Sequence, residues 1–311
     1  MKEAPRISVL MITYKQERVI KRALDSLVAQ KDYLFEVCIN DDCSPDGTWN
    51  ILQEYANKYP NFIKPVRNPH NLGIFENIEA TWQRPKGDIV TRLAGDDESP
   101  AGYYKEILDY IVTNDIDYKN ELFSIFCDYK QVNVAGDFIV YRNQLAGRFD
   151  PIKLHIRKLL SNRGACYSVK VLKQFVPVSE GRSYVAELVQ EYQVHLFSKT
   201  HYYIPLIGNI YYAQRGVSSR MSKSESLDSH LGTYDRLVPF LEKHHYVLDK
   251  KDKAFIKYMK AYRRKEYTSA LWYWIRSIDV SLGVYGLGLQ RIMFVIKNRL
   301  LKHINNSSLI L

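Results

Sequence analysis

Two short stretches of this chain crowd carboxylates together. Asp96 and Asp97 stand in "TRLAGDDESP", and Asp41 and Asp42 stand in "CINDDCSPDGT", each pair after an apolar run. Like charges side by side repel, and an unpaired pair has one pKa driven upward, so both pairs call for a positive partner. A hard divalent cation, Mn2+ or Mg2+, that keeps several waters and shares itself with phosphate oxygens suits such carboxylates. The chemistry that needs this arrangement is departure of a nucleoside diphosphate, whose developing charge the ion neutralises. Either pair alone also reads as a helix N-cap or a solvated turn. Two pairs at the ends of two strands make coincidence a weaker account.

The elements that must position these groups alternate along the first hundred residues. "ISVLMIT", "FEVCIN", "FIKPVRN" and "DIVTRLAG" read as strands, the third weakened by Pro65. Between them "QERVIKRALDSLVAQ", "SPDGTWNILQEYANKYP" and "GIFENIEATWQ" carry apolar residues at helical spacing. Such alternation predicts an α/β fold, a Rossmann-like, mostly parallel sheet with helices on both faces. Its ligand site is expected at the carboxyl ends of the strands, where the strand order reverses. After Pro100 a helix is followed by "LFSIFCDYKQV" and "DFIVYRN", expected to form a more antiparallel part. "YVAELVQEYQVHLFSK" predicts a helix, and "YYIPLIGNIYYAQR" predicts a strand, a turn and a second strand. No G-x-G-x-x-G and no G-x-x-x-x-G-K-[ST] follows the first strand, which argues against a dinucleotide oxidoreductase and a P-loop kinase.

"ISVLMITYKQERVIKRALDSLVAQ", "NDDCSPDGT", "NPHNLGIFENIEAT" and "KGDIVTRLAGDDESP" occur in the order and spacing of family-2 nucleotide-sugar glycosyltransferases with the GT-A fold, which the chain resembles over roughly residues 5–215. The resemblance implies a catalytic domain over residues 1–220. Its nucleotide-binding half is about 1–100 and its acceptor half about 101–220, with a helical C-terminal region over 221–311. It places Thr13, Tyr14, Glu17, Asp42, Asp96 and Arg215 around the nucleotide, with Tyr14 stacking on the base and Asp42 accepting a hydrogen bond from it. Asp97, with Asp96 beside it, would hold the metal. Many relatives read Asp-Ala-Asp-Asp, and this chain has Ala94 where the first of those aspartates would stand, so which of Asp96 and Asp97 is the main ligand stays open.

The resemblance also implies a general base on a helix beyond the metal motif. Glu191 in "LVQEYQVH" stands at the matching place, and Glu187, one turn earlier, is its rival; His195, one turn later, reads as structural. The implied reaction is inverting. The base takes a proton from an acceptor hydroxyl, which attacks the anomeric carbon in line as the nucleoside diphosphate leaves. Absence of Gln-x-x-Arg-Trp favours transfer of a single hexose over polymerisation. The expected donor is a UDP-sugar, and the expected acceptor a saccharide or lipid-linked saccharide in surface polysaccharide biosynthesis.

Charge is unevenly placed. Residues 241–311 hold 14 Lys+Arg against 5 Asp+Glu, which is nearly all of the formal +10. A basic tail on a neutral body points to a separate docking surface. Trp272, Tyr273 and Trp274 with flanking cations predict an interfacial helix on an anionic leaflet, because no stretch there approaches the ~20 apolar residues of a spanning helix. Glycines at 283, 286 and 288 weaken any single long helix. Four cysteines without ligand spacing and no apparent signal peptide make a cytoplasmic protein on the inner membrane face the expectation. Two rivals remain. A sugar nucleotidyltransferase would need a glycine-rich basic loop where "TYKQER" stands. A nucleic-acid-binding protein would leave the clustered aspartates without a use, and no nucleic acid is expected as a partner.

Overall fold

The computed structural model describes residues 4–143, 148–157, 159–177, 186–213 and 223–278, the side chains of 186–189 and 223–231 excepted. One sheet of eight strands organises the larger part: β1 (Ile7–Thr13), β2 (Glu36–Asp41), β3 (Ile63–Arg67), β4 (Ile89–Arg92), β5 (Phe123–Val132), β6 (Phe138–Tyr141), β7 (Cys166–Ser168) and β8 (Thr200–Tyr212). The path runs β3-β2-β1-β4-β7-β5-β6, with β8 paired to β5. β3, β2, β1 and β4 are mutually parallel, β7 is antiparallel to both β4 and β5, and β6 is antiparallel to β5. Helices α1 (Ile20–Val28), α2 (Thr48–Lys58) and α3 (Ile74–Thr81) are the crossovers between the parallel strands. The predicted α/β sheet is therefore present, and the strand order reverses at β1, between β2 and β4.

The burial of each strand explains its place. β1 and β2 are almost wholly buried runs, as parallel strands covered on both faces must be. β3 carries Pro65 and grades to exposed residues, which suits the sheet edge where a missing N–H costs no ladder bond. Two apolar clusters lie on the sheet. One gathers Val9, Met11, Leu24, Leu27, Val37 and Ile39 with Tyr103, Tyr104 and Ile107 of α4 (Tyr103–Thr113). The other gathers Leu10, Val90, Tyr167 and Val171 with Val194 of α7 (Ala186–Phe197). Between β6 and α7 stand α5 (Pro151–Ile156), N-capped by Asp150, and α6 (Val169–Leu172), capped by Ser168.

β8 departs from expectation. In place of a strand, a turn and a strand, Thr200–Tyr212 is one thirteen-residue strand running parallel to β5. Its register slips at Cys127↔Ile204, Asp128↔Ile207 and Tyr129↔Asn209, so the residues that look like a turn, Pro205 and Gly208 among them, are absorbed as bulges. At the bulge the backbone of Gly208 meets that of Gly164. A Cβ on Gly208 would lie 2.8 Å from Gly164 O and 2.9 Å from Cys127 Cβ, and Gly164 itself has φ +68°.

Contacts divide the chain into two compact units, Met1–Leu237 and Val238–Leu311. The boundary expected at 220 falls outside the described residues. Helix α8 (Lys223–Lys243) reaches across the division, and the second unit is built on α9 (Lys250–Arg263) and α10 (Tyr267–Arg276). Asp249 caps α9 by accepting from Asp252 N at 2.7 Å, and Tyr258, Met259, Ala261 and Ala270 are buried within that unit.

Replacing Gly208 by alanine is expected to destabilise the protein by ~1–3 kcal/mol, the usual cost of forcing atoms into a packed site. Urea unfolding measures it. An unchanged midpoint would mean that the two backbones separate without cost and that their contact fixes nothing.

Candidate active site

The acidic turn after β4 is held in place by main-chain bonds. Asp97 N donates to Ala94 O at 3.0 Å, and Glu98 exchanges two hydrogen bonds with Ile210 of β8, at 3.1 and 2.9 Å. Asp97 is 2% exposed, and its carboxylate accepts from Tyr212 N at 3.3 Å and from Arg163 Nη1 at 3.3 Å. Burial pushes the Asp97 carboxyl up to about 7; Arg163, the Tyr212 amide and the Asn209 side chain pull down, while Asp96 pushes further up. Arg163 is the positive partner that the acidic stretch calls for, and the sequence reading missed it. Asp96 is half-buried, and among the described residues its carboxylate has no hydrogen-bond partner; its carbonyl accepts from Arg22.

The second acidic pair is more fully absorbed by its neighbours. Asp41 accepts from Thr13 Oγ1 at 3.1 Å and from Ser44 N at 3.0 Å, with Arg67 Nε 3.6 Å away. Asp42 accepts from Asn68 Nδ2 at 2.9 Å, Leu72 N at 2.8 Å and Gly73 N at 2.9 Å, which ties the loop between β3 and α3 to the end of β2. A carboxylate offers about four lone-pair sites, so Oδ2 of Asp42 retains room for one more donor. Thr13 is buried with its hydroxyl given to Asp41, and Tyr14 is half-buried under Lys15 Nζ at 5.0 Å. Glu17 is exposed and accepts from Gly47 N at 3.0 Å, which couples the loop after β1 to the turn after β2. These residues do meet at one edge, because each follows a parallel strand at its carboxyl end.

Glu191 lies on α7 with its side chain 18% exposed. Arg92 Nη2, at the end of β4, is 3.8 Å from Oε1, and His155 Nε2 is 3.5 Å from Oε2. His155 is buried on α5, stacks on Tyr192 at 4.4 Å, and places Nδ1 2.7 Å from His195 Nε2. Burial, with His155 next, holds His195 well below the usual imidazole range. His195 therefore stays neutral and links through His155 to the carboxylate. The side chain of the rival Glu187 and the whole of Arg215 lie outside the described residues.

One turn joins the two carboxylates. Asn162 Nδ2 donates to the Glu191 carbonyl at 2.9 Å, and the next residue is Arg163, paired with Asp97. Ser161 N donates to Asn143 Oδ1 at 3.0 Å, and the Gly164 carbonyl accepts from Tyr103 OH at 2.8 Å, so the turn is bonded at both ends.

No group of three or more His, Cys, Asp and Glu side chains among the described residues forms a protein-only metal cage. Asp96 with its unpartnered carboxylate, beside Asp97, suits instead a cation that completes its shell from phosphate oxygens and water.

Because burial outweighs the Arg163 contribution, Asp97 binds its proton more tightly folded than unfolded. The group therefore costs stability increasingly as pH rises from about 4 to about 7, and by a constant amount above that. In chelated, metal-free buffer, Asp97→Asn is expected to be more stable than wild type at pH 8, with a ceiling of about 4 kcal/mol at ~1.4 kcal/mol per pKa unit. The difference should vanish near pH 4. Thermal unfolding across that range tests it, and a less stable variant at pH 8 would show that the Arg163 pair dominates.

Residues 8–131 match the family described as Glycosyl transferase family 2. The putative glycosyltransferase EpsE of Bacillus subtilis is 32% identical over 99 residues, 32% of this chain and 36% of that protein. The chain spans about a quarter to a third of the length of the curated relatives it matches. S. aureus TarS 1-349, solved in complex with UDP-GlcNAc, superposes with a TM-score of 0.58 over 91% of this chain and 93% of that one, at 16% identity. The mannosyltransferase PcManGT of Pyrobaculum calidifontis, solved with GDP-Man and Mn2+, gives 0.54 over 96% and 81%, at 14% identity. At such identities the likeness speaks for the fold alone, and the fold is the one the sequence resemblance implies. Residues 8–131 thus match Glycosyl transferase family 2, and the sheet that holds them has the GT-A fold of these structures.

Proposed function

We propose that this protein is an inverting glycosyltransferase that moves one sugar from a nucleoside-diphosphate sugar to a hydroxyl of a saccharide or lipid-linked saccharide. The observation that carries the reading is the turn whose adjacent residues Asn162 and Arg163 hold Glu191 and Asp97. It supports a base and an acidic donor-side group kept in fixed relation by one turn. In this reading Thr13, Tyr14, Glu17, Asp42, Asp96 and Arg215 serve the nucleotide, and Glu191 is the base, with Glu187 its rival. Asp97 and Asp96 would hold Mn2+ or Mg2+, which when bound supplies charge neutralisation for the departing diphosphate. Arg163 balances the buried Asp97 carboxylate, and Arg92 with His155 orients the Glu191 carboxylate toward the acceptor hydroxyl. TarS, crystallised with UDP-GlcNAc, supports a UDP-linked donor, and PcManGT, crystallised with GDP-Man and Mn2+, supports the metal. We propose surface polysaccharide biosynthesis as the setting of this transfer.

A thermal-shift screen against UDP, GDP, CDP and dTDP, with and without Mn2+, tests the donor site. A nucleotide at 100 times its dissociation constant adds ~2.7 kcal/mol of stability. A metal-dependent shift with one nucleotide, kept by Glu191→Gln while its turnover falls roughly 10²–10⁴-fold, is expected. No shift with any nucleotide would end the proposal.

The cytoplasmic face of an anionic membrane is the proposed location. Leu271, Trp272 and Ile275 of α10 are 41%, 57% and 51% exposed, and Arg276 lies 5.5 Å from the Trp272 ring centroid, so apolar and cationic groups share one face. No helix among the described residues is long and apolar enough to cross a membrane. Sedimentation with phosphatidylglycerol vesicles should carry the protein down, and Ile275→Glu should leave most of it in solution. Equal recovery of both with the vesicles would sink the assignment.

A further inference from the structure

The hairpin of β5 and β6 exposes aromatic and apolar side chains that neither core uses. Cross-strand register puts Tyr129 opposite Tyr141 and Gln131 opposite Ile139 on β6, and on the other side opposite Asn209 and Tyr211 of β8. Directly opposed residues share a face of a sheet, so these six side chains line one surface. Tyr129 and Tyr141 are stacked, with centroids 4.7 Å apart and planes 6° from parallel. Tyr141 is 39% exposed and Ile139 58% exposed. The guanidinium of Arg163 covers the Tyr211 ring at 3.7 Å and lies 6.0 Å from that of Tyr129.

This surface borders both carboxylates of the site. Arg163 bonds Asp97 from it, and Tyr129 lies within the electrostatic reach of both Arg163 and Glu191. Asn209 is 3% exposed and donates to Asp97, and its carbonyl oxygen Oδ1 has no hydrogen-bond partner.

We propose that the Tyr129–Tyr141–Tyr211 face of the β5–β6–β8 sheet is the binding platform for the saccharide acceptor, whose pyranose rings stack on the tyrosines. The proposal rests on the glycosyl-transfer reading and names where that reaction's acceptor lies. A pyranose presents one face of axial C–H groups with partial positive charge, which meets the negative face of an aromatic ring, while its hydroxyls reach sideways. Tyrosine supplies that area at low conformational-entropy cost and adds a hydroxyl of its own. Gln131 and Arg163, both part-exposed, with the tyrosine hydroxyls, provide the donors and acceptors that hydroxyls require. A purely apolar partner would leave these polar groups desolvated and unsatisfied, which is costly. Continuity with Asp97 and Glu191 then selects the acceptor over a remote sugar, because a ring stacked on Tyr129 adjoins Arg163, which pairs with Asp97 and whose neighbour Asn162 bonds the Glu191 backbone.

Alternation supplies a control, since Phe138 lies on the opposite face of the same strand, 58% exposed with Lys130 Nζ 4.1 Å from its ring. Saturation-transfer NMR of the full chain with cellotetraose, chitotetraose and laminaritetraose is the test, beside the nucleotide thermal shift. At least one oligosaccharide should show transfer from the protein, Tyr141→Ala should weaken it five-fold or more, and Phe138→Ala should leave it unchanged. All three proteins should keep the nucleotide shift. No transfer with any of the three oligosaccharides, or equal loss in both variants, overturns the platform while a persisting nucleotide shift leaves the donor site standing. Saccharide binding lost only in Tyr141→Ala without any nucleotide shift supports the platform and removes the transfer reading.

Discussion

The close approach of Gly164 to Gly208 is the constraint on which the site depends. Two backbones that meet where neither residue has a Cβ can bring a turn from one part of the chain against a bulge in β8. Residues 161–164 then have little freedom: Ser161 bonds Asn143, Gly164 bonds Tyr103, and the two residues between them point to opposite tasks. Asn162 reaches the backbone of α7 at Glu191, and Arg163 reaches the end of the acidic turn at Asp97. A side chain at either glycine would move both contacts together. The geometry of two catalytic candidates separated by ninety-four positions in the chain is thus set by one backbone crossing.

Charge follows from the same placement. Parallel strands bring their carboxyl ends to one edge, and this chain loads that edge with acid, yet the carboxylates around it are compensated: Arg67 stands by Asp41, Arg163 by Asp97 and Arg92 by Glu191, while Asp42 accepts from Asn68 and two backbone amides. Burial of an unpaired charge would cost several kcal/mol, so the pairs are a condition of folding before they are a feature of function. Asp97 shows the balance incompletely met, since its pKa stays near 7 in spite of Arg163. A cation arriving with a diphosphate would complete what the arginine leaves undone.

Much of this was legible in the sequence because it is local. Continuous apolar runs and helical spacing defined β1–β4 and α1–α3, and the strand-end position of the aspartates followed from the order of those elements. β8 was misread because Pro205 and Gly208 carry the same signal in a bulge as in a turn, and only the register against β5 distinguishes them. Arg163 and His155 were not legible at all. An arginine in "SNRGAC" looks like any exposed turn cation, and its partner lies 66 positions away. The question of what balances Asp96 and Asp97 could be posed from composition, but its answer is tertiary.

The imidazole pair beside Glu191 shows how the fold can fix the orientation of a carboxylate through two buried rings. If His155 turns Nε2–H toward Glu191, its Nδ1 must accept from His195 Nε2–H at the observed 2.7 Å. That leaves His195 Nδ1 a bare acceptor, and it has no partner. The opposite tautomer would bury a donor there instead and turn a lone pair of His155 against the carboxylate. An unpaired buried acceptor costs no more than an unpaired donor, while a lone pair facing a carboxylate adds repulsion, so the first arrangement is preferred. Burial keeps His195 neutral, and the chain of rings therefore ends in the core with no route for a proton to solvent through Nδ1. The pair can thus orient Glu191, but it gives a proton taken by that carboxylate no path to solvent through His195 Nδ1.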